Sequence, residues 1–361
     1  MSIAGAVVFN DAPMMKPLTS RERFLAACRR ERPAGPPPAW VMRQAGRYLP
    51  EYRELRSKHE FLELVHTPEV ACELTCQPLR RFDMDAAVIF SDILLPPAAM
   101  GLDLTFKPGE GPKLNPPLRE AADIDRLKDF DAKEATGFLG ESIRRVRAEL
   151  GPDKAIIGFC GAPFTTVSYA IEGGSSRNFE NTKRMLYSEP KLFDRLVNKL
   201  VDNLIPYLAM QVEAGADVLQ IFDSWGGALD APTYSRALLP GLRRLVEGAH
   251  NCGVPVIVYS NGGGHLLEIL ADSGTDVLGV DWRITPEEAV ARVGDQVALQ
   301  GNLDPCILFS DPEVVRQEAT RVLEGFAGQD GYIFNLGSGI LPKTPVESME
   351  MLFQTIRGFG I

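Results

Sequence analysis

Short, nearly uninterrupted apolar runs recur along the chain, each followed by a polar or glycine-rich turn and then by a stretch with helical period. The runs cover 39–43, 86–90, 155–159, 218–222, 254–259, 277–280, 297–300 and 332–336. Lack of alternation within them is the mark of strands covered on both faces. Between them, Thr19-x-x-Glu22 forms a capping box that opens a helix before the first run. Pro68 starts a helix over 68–82. Long amphipathic stretches cover 190–214 and 234–251, the second stopping at Cys252-Gly253. Shorter ones cover 287–293, 311–326 and 345–358. Strands alternating with helices predict a parallel sheet. Eight such units predict an α/β protein built as a (β/α)8 TIM barrel, one catalytic domain over 17–361 behind a flexible tail of residues 1–16. The proline- and glycine-rich stretch 94–131, with a hairpin arm at 102–107, reads as an insertion after the second strand.

Composition narrows the function. The 361 residues are 45% hydrophobic and 24% charged, an ordinary globular balance. No run approaches the roughly 18 apolar residues of a membrane span. Residues 1–15 begin apolar but lack a basic region and are broken by Asn10, Asp11 and Pro13. A cytoplasmic protein is expected. The net charge of −10 disfavours nucleic acid as a partner. An anionic substrate would have to meet cations gathered locally. Cys72 and Cys76, four apart, read as reduced thiols, and no CxxC pair occurs. His59, His66, His250 and His265 have neither HxH nor HExxH spacing, so no metal site is indicated. The clusters Gly173-Gly174 and Gly262-Gly263-Gly264 lack phosphate-loop and dinucleotide spacing, so no cofactor is indicated; they read as places of close backbone approach.

Barrel enzymes carry their chemistry at the C-terminal ends of the strands. Those ends here read Arg43-Gln44-Ala45-Gly46-Arg47, Ser91-Asp92, Cys160-Gly161-Ala162-Pro163, Asp223-Ser224-Trp225, Ser260-Asn261-Gly262, Asp281-Trp282, Gly301-Asn302 and Gly337-Ser338-Gly339. Arg43 and Arg47 offer rigid guanidinium forks that pair bidentately with carboxylates. Arg53 and Arg56 read instead as surface arginines in solvent-facing ion pairs. Asp92 follows an apolar run, where a carboxylate is costly unless something uses it.

The segment Pro38-Ala39-Trp40-Val41-Met42-Arg43-Gln44-Ala45-Gly46-Arg47-Tyr48-Leu49-Pro50-Glu51-Tyr52 resembles the N-terminal signature of the uroporphyrinogen decarboxylases. Gly158-Phe159-Cys160-Gly161-Ala162-Pro163-Phe164-Thr165-Thr166, continuing through Tyr169 to Gly174, resembles a second signature. Shorter matches at Phe90-Ser91-Asp92, Phe222-Asp223-Ser224, Gln300-Gly301-Asn302 and Phe334-Asn335-Leu336-Gly337 follow in the family's order. The resemblance implies a (β/α)8 barrel and a homodimer that needs no metal or organic cofactor. It implies removal of the four acetate carboxyls of uroporphyrinogen to give coproporphyrinogen. It further implies that Arg43 and Arg47 anchor substrate carboxylates, with Arg43 also a candidate proton donor. Asp92 would accept the pyrrole N–H groups, and Tyr169 and Ser224 would hydrogen-bond carboxylates. Asp223 would orient its loop. Ser338 stands where the family usually has histidine; it keeps a donor but loses reach and charge, which a water or a neighbour such as Lys343 would have to make good, or activity would fall. Two alternatives remain: a zinc-dependent corrinoid or thiol methyltransferase of the related barrel family, and a non-catalytic tetrapyrrole-acid binding protein.

Overall fold

The apolar runs form parallel strands, as their two-sided burial requires. A computed structural model describes residues 17–107 and 111–360. Its strands are β1 (Ala86–Val88), β2 (Asp103–Lys107), β3 (Gly111–Asn115), β4 (Ala155–Gly161), β5 (Val218–Asp223), β6 (Val256–Ser260), β7 (Val277–Gly279), β8 (Ala298–Leu303) and β9 (Tyr332–Leu336). Seven of them make one curled sheet in the order β1-β4-β5-β6-β7-β8-β9, every pair parallel. Helices cover its outer face, giving an α/β, TIM-barrel-like fold around one contiguous apolar core. The expected tail, 1–16, lies outside the described residues.

The expectation of eight strands needs correction at the first. Residues 39–43 do not form a strand; they contribute a single parallel bridge, Ala39 to Phe334. The reason is local. Gln44 N–H donates to Val41 O at 2.9 Å, and Arg43 sits at φ 63°, so the chain turns away before a second pairing can form. The segment nevertheless links the two edges of the sheet. Phe334 N–H donates to Pro38 O at 2.8 Å and Trp40 N–H to Phe334 O at 3.3 Å. On the other side, Asp85 N–H donates to Ala39 O at 2.8 Å, immediately before β1.

Three aspartates fasten the N-terminal ends of neighbouring strands. Asp217, before β5, accepts Ile156 N–H of β4 at 2.8 Å, and Asp276, before β7, accepts Val256 N–H of β6 at 2.8 Å. Asp85, before β1, accepts Ala39 N–H at 2.7 Å in the same manner. Its carboxylate also pairs with Arg23 and Arg357, tying the first and last helices of the described chain to the junction.

Most predicted helices fall where expected, including the capping box on Ser20–Cys28. The stretch 234–251 divides into Ala231–Ala237 and Leu239–His250, because Pro240 has no N–H to continue the ladder. Within 94–131, β2 and β3 pair as an antiparallel hairpin. The hairpin docks on helix Pro163–Glu172 through Leu114 N–H to Gly173 O at 3.2 Å, while Leu118 N–H to Ala170 O, 2.9 Å, holds the chain beyond it. Phe106 of β2 meets Phe61 at 4.4 Å between ring centres, and Phe61 meets Phe90 at 5.6 Å. Among the described residues no helix is long and apolar enough to cross a membrane.

Candidate active site

Parallel strands bring all their C-terminal ends to one rim, and the candidate side chains gather there from segments far apart in sequence. Arg43 stands on the turn that leaves the β9–β1 junction. Its left-handed backbone costs about 1–2 kcal/mol for a non-glycine residue and is held from several sides. Buried Gln44 accepts Val41 N–H at 3.2 Å and donates to Ala86 O at 3.1 Å. Buried Asn335 accepts Met42 N–H at 3.0 Å. A side chain on Gly339 would lie 2.6 Å from Arg43 Cδ, so the Arg43 stem runs directly over the Ser338-Gly339 loop.

Arg43 and Arg47 are both exposed and form no salt bridge among the described residues. Arg53 corrects the expectation of a surface ion pair. Its guanidinium donates to Arg47 O at 2.8 Å and Tyr48 O at 3.0 Å, propping the loop that presents Arg47. Arg56 behaves as expected, pairing with Glu60 at 3.7 Å.

Asp92 uses one oxygen to accept Leu94 N–H at 2.8 Å, just ahead of helix Leu95–Ala99. Its second oxygen has no hydrogen-bond partner among the described residues. Burial raises the carboxyl to about 6, against the opposing pull of Leu94 N–H and the Arg43 charge. Tyr169 lies in the same field. Burial raises its hydroxyl to about 12, the Asp92 charge adds to this, and Arg43 opposes it. The Tyr169 ring stacks on Trp225 at 4.0 Å, next to half-buried Ser224.

Asp223 faces inward. It accepts Thr165 Oγ1 at 2.7 Å and Tyr234 Oη at 2.8 Å, so it clamps the end of β5 to two helices and orients the Ser224 loop. Ser338 lies beside Tyr259, whose hydroxyl donates to Gly337 O at 2.9 Å. Lys343 is exposed and forms no ion pair among the described residues. The glycines at the rim are close-approach positions: a side chain on Gly227 would lie 2.5 Å from the Gly262 carbonyl.

Arg43, Asp92, Tyr169, Ser224 and Ser338 thus gather at one rim, with Arg47 on the loop four residues beyond Arg43. A half-open cavity of about 200 Å³ is lined by other residues, mostly apolar ones such as Leu62, Leu95 and Phe138, with His66. It is small against the roughly 300–1,000 Å³ of a usual ligand pocket. Among the described residues no cluster of three or more His, Cys, Asp or Glu side chains could hold a metal.

The family model for uroporphyrinogen decarboxylase matches residues 19–359. The chain belongs to that family. Uroporphyrinogen decarboxylase of Alkalilimnicola ehrlichii is 48% identical over 343 residues, covering 93% of each chain. The Myxococcus xanthus enzyme of the same name is 47% identical, over 94% of this chain and 97% of its own. Among solved structures, a methyltransferase from Methanosarcina mazei superposes with a TM-score of 0.77 at 20% identity, over 94% of this chain and 98% of its own. At that identity the likeness concerns the fold alone. Within the uroporphyrinogen decarboxylase family, sequence reasoning singled out the residues facing outward and missed those holding them: Gln44, Asn335 and Arg53. The available signal was a buried-type amide inside an apolar run, Gln44 after 39–43 and Asn335 within 332–336.

Proposed function

We propose that this chain is a carboxy-lyase that removes the four acetate carboxyls of uroporphyrinogen, without metal or organic cofactor, to give coproporphyrinogen in porphyrin and haem formation. The observation that carries the chemistry is Asp92: one oxygen is anchored, the other lies free at the rim, and Arg43 and Tyr169 stand within its field. Losing CO2 from a pyrrole acetate requires somewhere for the electron pair to go. Protonation of a ring carbon makes the pyrrole a cationic sink. The C–CO2 bond then breaks, its electrons neutralise the ring, and the new methylene carbon takes a proton while the ring gives one up. Each acetate therefore becomes a methyl group and consumes one proton overall. A carboxylate under the pyrrole nitrogens stabilises the cation more than the neutral ground state, which is what accelerates the step.

In this reading Arg43 and Arg47 anchor carboxylates through charge-assisted forks, each bond worth about 1.5–3 kcal/mol. Tyr169, Ser224 and Ser338 add hydroxyl contacts. The segment 38–41 is taken as the eighth stave of a closed barrel, supported by the Asp85 clasp, which repeats at Asp217 and Asp276. Residues 94–131 are taken as an addition beside the mouth of one catalytic domain. A cytoplasmic homodimer is part of the same proposal.

Anaerobic incubation with uroporphyrinogen, followed by chromatographic counting of product carboxyls, tests it. Four losses per macrocycle are expected; binding without any loss would leave only the tetrapyrrole-binding alternative. The methyltransferase alternative would need ligands after β6, where the chain reads Ser260-Asn261-Gly262.

A further inference from the structure

An octa-acid brings more negative charge to the rim than Arg43 and Arg47 can meet, and Ser338 adds none. A third cation is built into the rim four places from β1 in the sheet order, just beyond β7. Arg283 lies flat over Trp282, its guanidinium carbon 3.9 Å from the ring centre. One nitrogen, Nη1, donates to Asp281 Oδ2 at 2.7 Å and to Asn261 Oδ1 at 3.2 Å. Its backbone N–H donates to the other Asp281 oxygen at 2.8 Å. Nε and Nη2 have no hydrogen-bond partner among the described residues, and the side chain is 51% exposed. The guanidinium is therefore clamped along one side and open along the other.

Its neighbourhood is that of the mouth. The charges of Arg283 and Arg43 both act on the Tyr259 hydroxyl, which the Ser338 hydroxyl also meets. The backbone of Trp282 packs so closely on Gly337, the residue before Ser338, that no side chain fits there. Stacking and clamping hold the fork in place before any ligand arrives, which lowers the ordering cost of binding.

We propose that Arg283 is a substrate-binding residue whose open guanidinium edge takes a peripheral carboxylate of the macrocycle, supplying beside Ser338 the positive charge that serine lacks. The inference rests on the decarboxylase reading for the identity of the poly-acid. Lys343 is not needed for this role.

The test is equilibrium binding of uroporphyrin, the oxidised octacarboxylate that is not turned over, followed by fluorescence. Arg283→Ala is expected to weaken binding about tenfold, in line with one charge-assisted contact. In turnover of uroporphyrinogen the loss should fall on KM more than on kcat. Because Arg283→Ala leaves buried Asp281 unpaired, a second variant, Asp281→Asn/Arg283→Met, keeps the acceptor for the loop and the stem over Trp282. It should melt near the parent and show the same tenfold loss. Parent-like affinity in the double variant would overturn the inference, whatever the single variant does. Turnover of the parent separates the two readings. A parent that binds the octa-acid through Arg283 yet releases no CO2 sinks the decarboxylase reading alone. A parent that decarboxylates, with a double variant binding as tightly, sinks this inference alone.

Discussion

Asp92 is held in a state that costs stability. Burial lifts its carboxyl to about 6, above the ordinary carboxylate range. The folded chain therefore holds that proton more firmly than the unfolded chain, and the contribution to stability is lost as pH rises from about 4 through about 6. Asp92→Asn cannot ionise, so at pH 7 it should melt above the parent, and the gain should vanish below about pH 4. Its rate should move the other way. Two unit charges about 4 Å apart interact by roughly 4 kcal/mol at an effective dielectric near 20, which is on the order of three decades in rate. Single-turnover decarboxylation beside a thermal melt checks both; a variant keeping more than about a tenth of the rate would remove Asp92 from the mechanism. In the parent, kcat/KM should fall as pH drops through about 6, because the carboxylate of the free enzyme becomes neutral there. Around it, Arg43→Ala and Arg47→Ala should each impair turnover strongly while the fold is retained. A surface ion pair at Arg53 would leave Arg53→Ala nearly silent. Its hydrogen bonds to Arg47 O and Tyr48 O change that expectation to a several-fold rise in KM. A KM equal to the parent's would restore the original view of Arg53 as mere surface.

The elements are joined at the end opposite the candidate site. Asp85, Asp217 and Asp276 each stand one residue before a strand and accept an N–H from the start of the neighbouring segment, Ala39, Ile156 and Val256 in turn. Asp85 is the most deeply placed, with 0% side-chain exposure against 6% for Asp217 and 37% for Asp276; Asp85 pairs with Arg23 and Arg357, as Asp217 does with Arg21 and Arg147. Removing one partner of a buried pair costs about 3–5 kcal/mol, because the others are left unpaired. Asp85→Ala should lose stability in that range by urea titration, and Asp276→Ala clearly less. The reverse order would mean that the β9–β1 junction is not held by Asp85. The barrel end so fastened leaves the other rim free to carry exposed arginines and a strained turn at Arg43.

At the scale of the whole molecule, the aspartate clasps and the candidate site lie at opposite ends of one curled sheet. Turnover should need no added metal, flavin, pyridoxal phosphate or thiamine; activity lost on exhaustive chelation and restored by one metal would contradict this. Much of that plan was legible in the chain. Seven apolar runs became strands of the sheet, because a strand buried on both faces has to be apolar throughout, and that pattern is local. Arg43, Arg47, Asp92, Tyr169, Ser224 and Ser338 were legible as candidates by resemblance and by position after such runs. What the chain could not show was pairing across distance. The run 39–43 looked like its fellows, yet it makes one bridge, because Gln44 and Asn335 pull it into a turn from sites hundreds of residues apart. Arg53 read as a surface arginine, yet it props a loop through its carbonyls; Arg283 drew no reading from the sequence, yet it lies clamped on Trp282 at the rim. Apolar periodicity is set by each element's own burial, and the sequence determines it alone. The partner of a polar group depends on which elements the fold brings together, and only the tertiary structure decided that.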